Sequence, residues 1–386
     1  MVRLRSVRGW LVTVALVGCG RLEFEASERD PGLPANGDVV GQMVAGARSD
    51  GSGFALAWLS HQLDGTRVWR FGAVDPTAAW RAPPVVLFED RDFPLLGVQL
   101  VPLGENWLLM RQYEWDTVRM PVDLAVIADD GLVLSNVEDS ATWFAAATIV
   151  PSSQGFGVIY HHHETQSDSN TRRQVYSRHY DLAGELVTSE RDVVEVLDDQ
   201  FLIAATPHAD GSLVVWREET STNAKFAVVS PTGAIIRSAT IAGVNDIYWG
   251  PFALVTAGGA IFVERTAPGL RVRKVAANGS AVWSPQEQSV PLGLNRFQNR
   301  TVVLAHDLAT AYVMWSRDDL TDLPLLSLAE LDTSGSSPTL AEEVPLTDGI
   351  TADFAPLLAL APTHVFAAWI REAGGEREIQ VRVRPR

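Results

Sequence analysis

A short apolar run recurs seven times along the chain at nearly constant spacing. It ends at Trp58 (GFALAW), Met110 (NWLLM), Tyr160 (GFGVIY), Trp216 (SLVVW), Glu264 (AIFVE), Trp315 (AYVMW) and Trp369 (VFAAW). Successive end positions lie 52, 50, 56, 48, 51 and 54 residues apart. A fixed period of this size marks a repeat architecture, in which each unit buries its apolar faces against its neighbours. The runs are almost wholly apolar, so each reads as a strand buried on both faces.

Each run has companions. One strand precedes it (LGVQLVPL, FAAATIV, FLIAATP, FALVTAG, TVVLAHD, LLALAP), and another follows it (LAVIAD, VYSRHYD, KFAVVS, VRKVAA, LSLAELD). The following strand runs into a turn closed by Gly131, Gly184, Gly233, Gly279 or Gly335, and a fourth strand leaves that turn. Asp, Pro, Asn and Gly gather there because each suits the dihedrals of a tight turn. Repeat one carries Asp75-Pro76-Thr77-Ala78 instead, without the glycine. Four short strands per unit, seven units and no helical periodicity predict an all-β fold, a single β-propeller of seven four-stranded blades over residues 38–386. A β-sandwich array is also all-β, but a fixed four-strand unit fits blades better.

The last repeat ends after three strands. Residues 21–27, RLEFEAS, alternate apolar and polar as an edge strand does. Two readings of 19–37 follow. It supplies the missing outer strand of blade seven and closes the ring, or it is a charged tether kept extended by Pro31 and Pro34.

Residues 1–9 are basic and residues 10–18, WLVTVALVG, are apolar. Nine residues are too few for a membrane-spanning helix, which needs about 20. Residues 1–18 therefore read as a secretory signal peptide. Leu16-Val17-Gly18-Cys19 resembles the bacterial lipobox. That resemblance implies cleavage before Cys19, lipidation of its thiol and new amino group, and a membrane anchor of several acyl chains. Gly20 stands where inner-membrane lipoproteins of enteric bacteria carry Asp, which favours the outer membrane and a periplasmic or surface location.

Composition narrows the partners. Residues 1–18 hold three arginines and no acid, so their removal takes the net charge from −16 to −19. An acidic surface argues against nucleic acid. A single cysteine excludes an intrachain disulfide and a cysteine-based metal centre. No repeated Trp-Asp dipeptide, kelch Gly-Gly pattern or tryptophan-docking repeat is present. Asp50-Gly51-Ser52 and Asp210-Gly211-Ser212 match only part of a sialidase-type Asp box. The chain thus resembles the broad group of bacterial propeller lipoproteins over residues 10–386, with the lipobox as the specific motif.

Candidate chemistry falls in four places. His161-His162-His163-Glu164 places His161 and His163 on one face if the strand continues, as two metal ligands would be; the polar Gln166–Asn170 sequence that follows favours a solvated loop start instead. Asp318, Asp319 and Asp322 offer oxygen ligands but lack calcium-loop spacing, and read as a charged hairpin. Trp58, Trp216, Trp315 and Trp369 share one repeat position and are expected to pack between blades. Trp69, Trp80, Trp115 and Trp283 break the repeat and are candidates for stacking on sugars or peptides.

The fourth place is the connection that enters each blade. An Asp or Asn with an aromatic recurs 15–21 residues ahead of the repeat position: Asp92-Phe93, Asp139 with Trp143 and Phe144, Asp199 with Phe201, Asp246 with Tyr248 and Trp249, Asn295 with Phe297, and Asp353-Phe354. Asp38 stands at the same distance before Trp58, without an aromatic. In a propeller these connections meet around the axis on one face. The polar residues either start turns by bonding the backbone, with the aromatics packed between blades, or they ring the channel mouth. A ring of carboxylates must hold protons, pair with Arg91, Arg296 and Arg300, or bind Ca²⁺ or a cationic or polyhydroxylated ligand. No nucleophile motif, phosphate loop or dinucleotide fingerprint appears. The sequence therefore reads as an envelope-anchored, non-catalytic binding or scaffold propeller for a protein, peptide or glycan. The alternative is an extracytoplasmic polysaccharide hydrolase or lyase that uses channel-mouth carboxylates.

Overall fold

Seven antiparallel sheets follow one another along the chain, over 43–89, 95–139, 146–192, 200–241, 252–291, 302–345 and 352–385. The computed structural model describes residues 42–386 apart from 62–63, 91–94, 114–120, 140–145, 166–170, 194–199, 209–210, 219–223, 231–233, 242–251, 257–258, 267–268, 277–287, 292–301, 307–310, 319–323, 333, 342, 348–351 and 374–375. Spatial order within each sheet follows sequence order, so every blade is a meander. First strands adjoin from blade one through blade five and again between blades six and seven, and that of blade seven, Ala352–Leu360, lies beside that of blade one, Met43–Ala47. The ring is closed by this packing, and the fold is a seven-bladed β-propeller.

The seven apolar runs are the second strands of the seven blades, among them Phe54–His61, Asn106–Tyr113 and His364–Ala373. A second strand has a blade partner on either side and a neighbouring blade over each face, which is why its first half is almost wholly apolar. Alternate side chains serve opposite seams. In blade one, Phe54, Leu56 and Trp58 pack with Phe366, Ala368 and Ile370 of blade seven, and the Phe54 and Phe366 rings stack at 4.8 Å. Ala55, Ala57 and Leu59 pack with Trp107 and Leu109 of blade two. Trp216 faces blade three and Trp369 faces blade six. Trp58, Trp216, Trp315 and Trp369 are all buried, as inter-blade packing predicts.

Four details differ from the sequence reading. In blade two Met110 packs toward blade three. The residue facing the preceding blade, as Trp58, Tyr160, Trp216 and Trp369 do, is Arg111, whose guanidinium lies 3.7 Å over Phe88 of blade one. A strand alternates faces at every residue, so a one-residue error in matching repeats exchanges the two seams. Secondly, Trp69 is fully buried between blades one and two, and Trp80 is half-buried at 6.2 Å from Trp58. Neither is an exposed stacking platform; Trp115 and Trp283 lie outside the described residues. Gly72 admits Trp80, since a Cβ there would stand 2.2 Å from its ring. Thirdly, the blade-three strand continues through the histidines as Gly155–Thr165, with His161 opposite Val175 and His163 opposite Arg173. Its partner Thr171–Asp181 is equally long, so the hairpin carries the ladder past the expected loop start. Lastly, Ala78 takes the glycine's place in the blade-one turn with φ +65°, beside +85° at Gly131 and Gly184. Asp75 supports that turn by accepting from the Thr77 and Ala79 amides.

Blades six and seven depart from four plain strands. The outer strand of blade six is two short pieces, Thr339–Leu340 and Val344–Pro345, both paired with Pro324–Asp332. Pro338 immediately precedes the first piece and Pro345 ends the second, so the outer edge is bounded by residues without an amide donor. Blade seven has three strands among the described residues, the last being Glu376–Pro385.

Meander topology gives the ring two unlike faces. Blade-to-blade connections and the loops between second and third strands emerge on one, the entry face. The other two hairpins of each blade emerge on the opposite face. There Asp129 of blade two clamps blade one. Its carboxylate accepts from Arg48 at 2.6 Å, Arg81 at 2.7 Å and Trp107 Nε1 at 2.7 Å. Arg48 also donates to the Gly104 and Glu105 carbonyls and lies over the Trp107 ring. Partial burial pushes the Asp129 carboxyl up, but the bonds from Arg48 and Trp107 and the charges of Arg48 and Arg81 outweigh it and hold the carboxyl below the usual range. A depressed value in the folded state makes the clamp fully effective above the ordinary aspartate range and lost as pH falls through the folded value. Asp129→Ala is expected to cost on the order of 2 kcal/mol at neutral pH and to lose less stability on acidification below about pH 4 than the wild type does. Urea unfolding at both pH values measures the difference.

Candidate functional site

The entry face is where the sequence places its candidate mouth. Asp139 is the last residue of the outer strand Val133–Asp139 of blade two, opposite Val122. Asp353 is the second residue of the inner strand of blade seven, opposite Arg371. One therefore stands where a chain leaves a blade at its rim, the other where it enters a blade beside the axis. Both are at entry-face ends of their strands. Asp38, Asp92, Asp199, Asp246 and Asn295 lie outside the described residues, as do Cys19, Arg91, Arg296 and Arg300. Asp318 ends the strand Ala311–Asp318, opposite Pro324, while Asp319 and Asp322 are outside the description. Among the described residues no group of three or more His, Cys, Asp and Glu side chains could hold a metal ion.

Beneath the first of these connections lies a buried polar cluster between blades one and two. Blade one contributes Arg67 and Trp69 from its third strand, Arg67–Val74, and Asp90 just after its outer strand, Val85–Glu89. Blade two contributes Arg111 and Tyr113 from its second strand and Asp123 from its third, Val122–Ile127. The Asp90 carboxylate is fully buried. Its Oδ1 accepts from Trp69 Nε1 at 2.8 Å and from Tyr113 Oη at 2.5 Å. Its Oδ2 stands 3.1 Å from Arg67, an ion pair without hydrogen-bond alignment. Arg111 donates to Tyr113 Oη at 3.2 Å and pairs with Asp123 at 3.2 Å, both charged side chains being almost wholly buried.

Two cations face two carboxylates, so the cluster is close to neutral. Burial pushes the Tyr113 phenol well above its usual range against the pull of Arg111, and the bond to Asp90 raises it further. Tyr113 is therefore a fixed donor at neutral pH. The arrangement suits rigid positioning: Asp90 is held by three side chains from two blades, and the connection carrying Asp92 starts from it.

The next seam is bridged by glutamines. Gln99, on the inner strand Leu95–Leu103 of blade two, accepts from the Ile149 amide of blade three at 2.8 Å. Gln112 accepts from the Ala147 amide at 3.2 Å. Both amides belong to the inner strand Ala146–Ser152, so side chains of blade two satisfy donors close to the axis.

Sequence reasoning missed Asp90, Arg111 and Tyr113. The one available signal was Arg111, a charge at the position where other blades carry Trp58, Tyr160, Trp216 and Trp369. Nothing local shows that Asp90 meets residues more than twenty positions away on two blades.

No protein-family model matches the chain, and no curated protein matches it. Solved structures to which it is similar include NanB sialidase from Streptococcus pneumoniae, at 8% identity over 91% of this chain and 69% of that one, with TM-score 0.47. Trypanosoma rangeli sialidase is similar at 10% identity over 78% of this chain and 56% of that one, with TM-score 0.44. A neuraminidase-like protein of a little yellow-shouldered bat isolate from Guatemala is similar at 9% identity over 99% of each chain, with TM-score 0.45. No residue role or activity carries across likenesses of this degree.

Proposed function

We propose that this is a cell-envelope lipoprotein, anchored through Cys19, whose propeller binds a ligand at its entry face. The observation that carries the reading is topological. Every blade-to-blade connection leaves an outer strand and enters the next inner strand on the same face, and these are the segments that repeat an Asp or Asn with an aromatic. In this reading the ring brings polar groups distant in sequence to one face, some at the rim as at Asp139 and some beside the axis as at Asp353. The outer membrane is the favoured address, and a protein, peptide or glycan is the favoured partner class. Acidic residues in such a ring suit Ca²⁺, a cationic group or a polyhydroxylated surface.

Anchoring and binding are tested together in the full chain. Fractionation and mass spectrometry of the wild type should find acyl chains on Cys19 and membrane association, and Cys19→Ser should be released. An unmodified amino terminus at Gly20 or beyond would refute the anchor. The purified protein should show no turnover in an untargeted glycan hydrolysis screen. Turnover that disappears on mutation of the entry-face carboxylates would replace the binding reading with a hydrolase or lyase.

A further inference from the structure

The third strand of blade seven, Glu376–Pro385, has no fourth strand beside it among the described residues, whereas the third strands of the other six blades all do. Blade seven is thus one strand short of the others among the described residues, and the outer edge of its third strand is where a further strand of this chain can add. Along this strand Ile379, Val381 and Val383 are buried against blade one. The alternate positions Arg382 and Arg384 lie on the other face, where Arg382 donates to the Pro345 carbonyl of blade six at 3.3 Å. The C-terminal half of the strand thus pairs an apolar face with one that carries two arginines.

We infer that residues 21–27 are the fourth strand of blade seven, antiparallel to Glu376–Pro385. Their sequence is the complement of that edge: Leu22 and Phe24 alternate with Glu23 and Glu25. An antiparallel register that sets Phe24 opposite Val383 also sets Glu23 opposite Arg384 and Glu25 opposite Arg382, because both strands alternate with period two. Slipping by one residue would oppose Glu to Val and Phe to Arg, so the register is specified. Reach is ample. The fifteen residues 28–42 span up to about 50 Å, and crossing three strands to reach Met43 takes about 14 Å.

Direction has a consequence, which rests on the lipid-anchored reading. A fourth strand runs from the opposite face toward the entry face. Residue 21 then lies at the opposite-face rim of blade seven, and Cys19 attaches to the membrane from that side. The entry face is turned away from the bilayer, toward its ligand.

Disulfide trapping tests the pairing without the anchor. In full-length Cys19→Ser protein, Phe24→Cys is combined with Val381→Cys, Val383→Cys or, as the control of opposite face, Arg382→Cys. Oxidation should cross-link one of the two valine positions, leave the control largely reduced, and raise the denaturation midpoint of the linked protein. In parallel, reversing Glu23 and Glu25 to Arg should lower the wild-type midpoint, and adding Arg382→Glu and Arg384→Glu should restore it. No cross-link at either valine position, or equal cross-linking at Arg382→Cys, would overturn the inference and leave 19–37 as a tether. Loss of lipidation alone would refute the anchor and not the strand.

Discussion

Asp90→Ala is expected to be among the most damaging polar substitutions in the described part of the ring, costing about 3–5 kcal/mol. Removing the carboxylate deprives two buried donors, Trp69 Nε1 and Tyr113 Oη, of their acceptor, and each orphaned buried donor costs about 1–3 kcal/mol. The ion pair with Arg67 is lost as well. Arg67 is the partner that can recover, since its side chain is 28% exposed and turns to water. Asp90→Asn keeps an acceptor and loses the charge, so its cost should fall between that of the wild type and that of Asp90→Ala. Tyr113→Phe removes one donor and leaves the carboxylate bonded to Trp69, at about 1 kcal/mol. Guanidinium unfolding of the three variants ranks them. A loss below about 1 kcal/mol in Asp90→Ala would show that the seam repacks and that the cluster does not fix the entry connection.

The fold was legible because its signal is local and repeated. A second strand such as Phe54–His61 is apolar at nearly every position, and its period recurs whatever the loops do. The same regularity hid two things. Met110 and Arg111 are neighbours in sequence but serve opposite seams, and repeat matching aligned the apolar one with the aromatic position. The turn at Ala78 looked exceptional for lack of glycine, yet its backbone sits in the left-handed region like Gly131 and Gly184. Asp75 side-chain bonds and burial in the seam toward blade seven hold it there. The candidate site was legible only as a pattern of residue types. Asp90, Arg67 and the Arg111–Tyr113 pair come from three segments whose approach depends on how two blades meet, which no single stretch of sequence encodes.

Loss of cation binding is the second large effect expected, and it addresses the central claim, that the entry face is the binding mouth. If carboxylates of the connections share one mouth, they would repel one another unless a cation or cationic group neutralised them, and hard carboxylate oxygens are the ligands Ca²⁺ prefers. Asp92, Asp199 and Asp246 come from three different connections, so changing each to Asn removes three charges without deleting any side-chain volume to speak of. The amides still accept from turn backbone, which keeps a purely structural role largely intact. The measurement is calorimetric titration of the purified full-length protein with calcium, with thermal melting alongside. The wild type should release or absorb heat in a saturable titration and melt at a higher temperature with calcium. The Asp92→Asn, Asp199→Asn, Asp246→Asn triple variant should remain folded and lose both responses. Calcium binding undiminished in the triple variant would contradict the account and place the site elsewhere on the propeller.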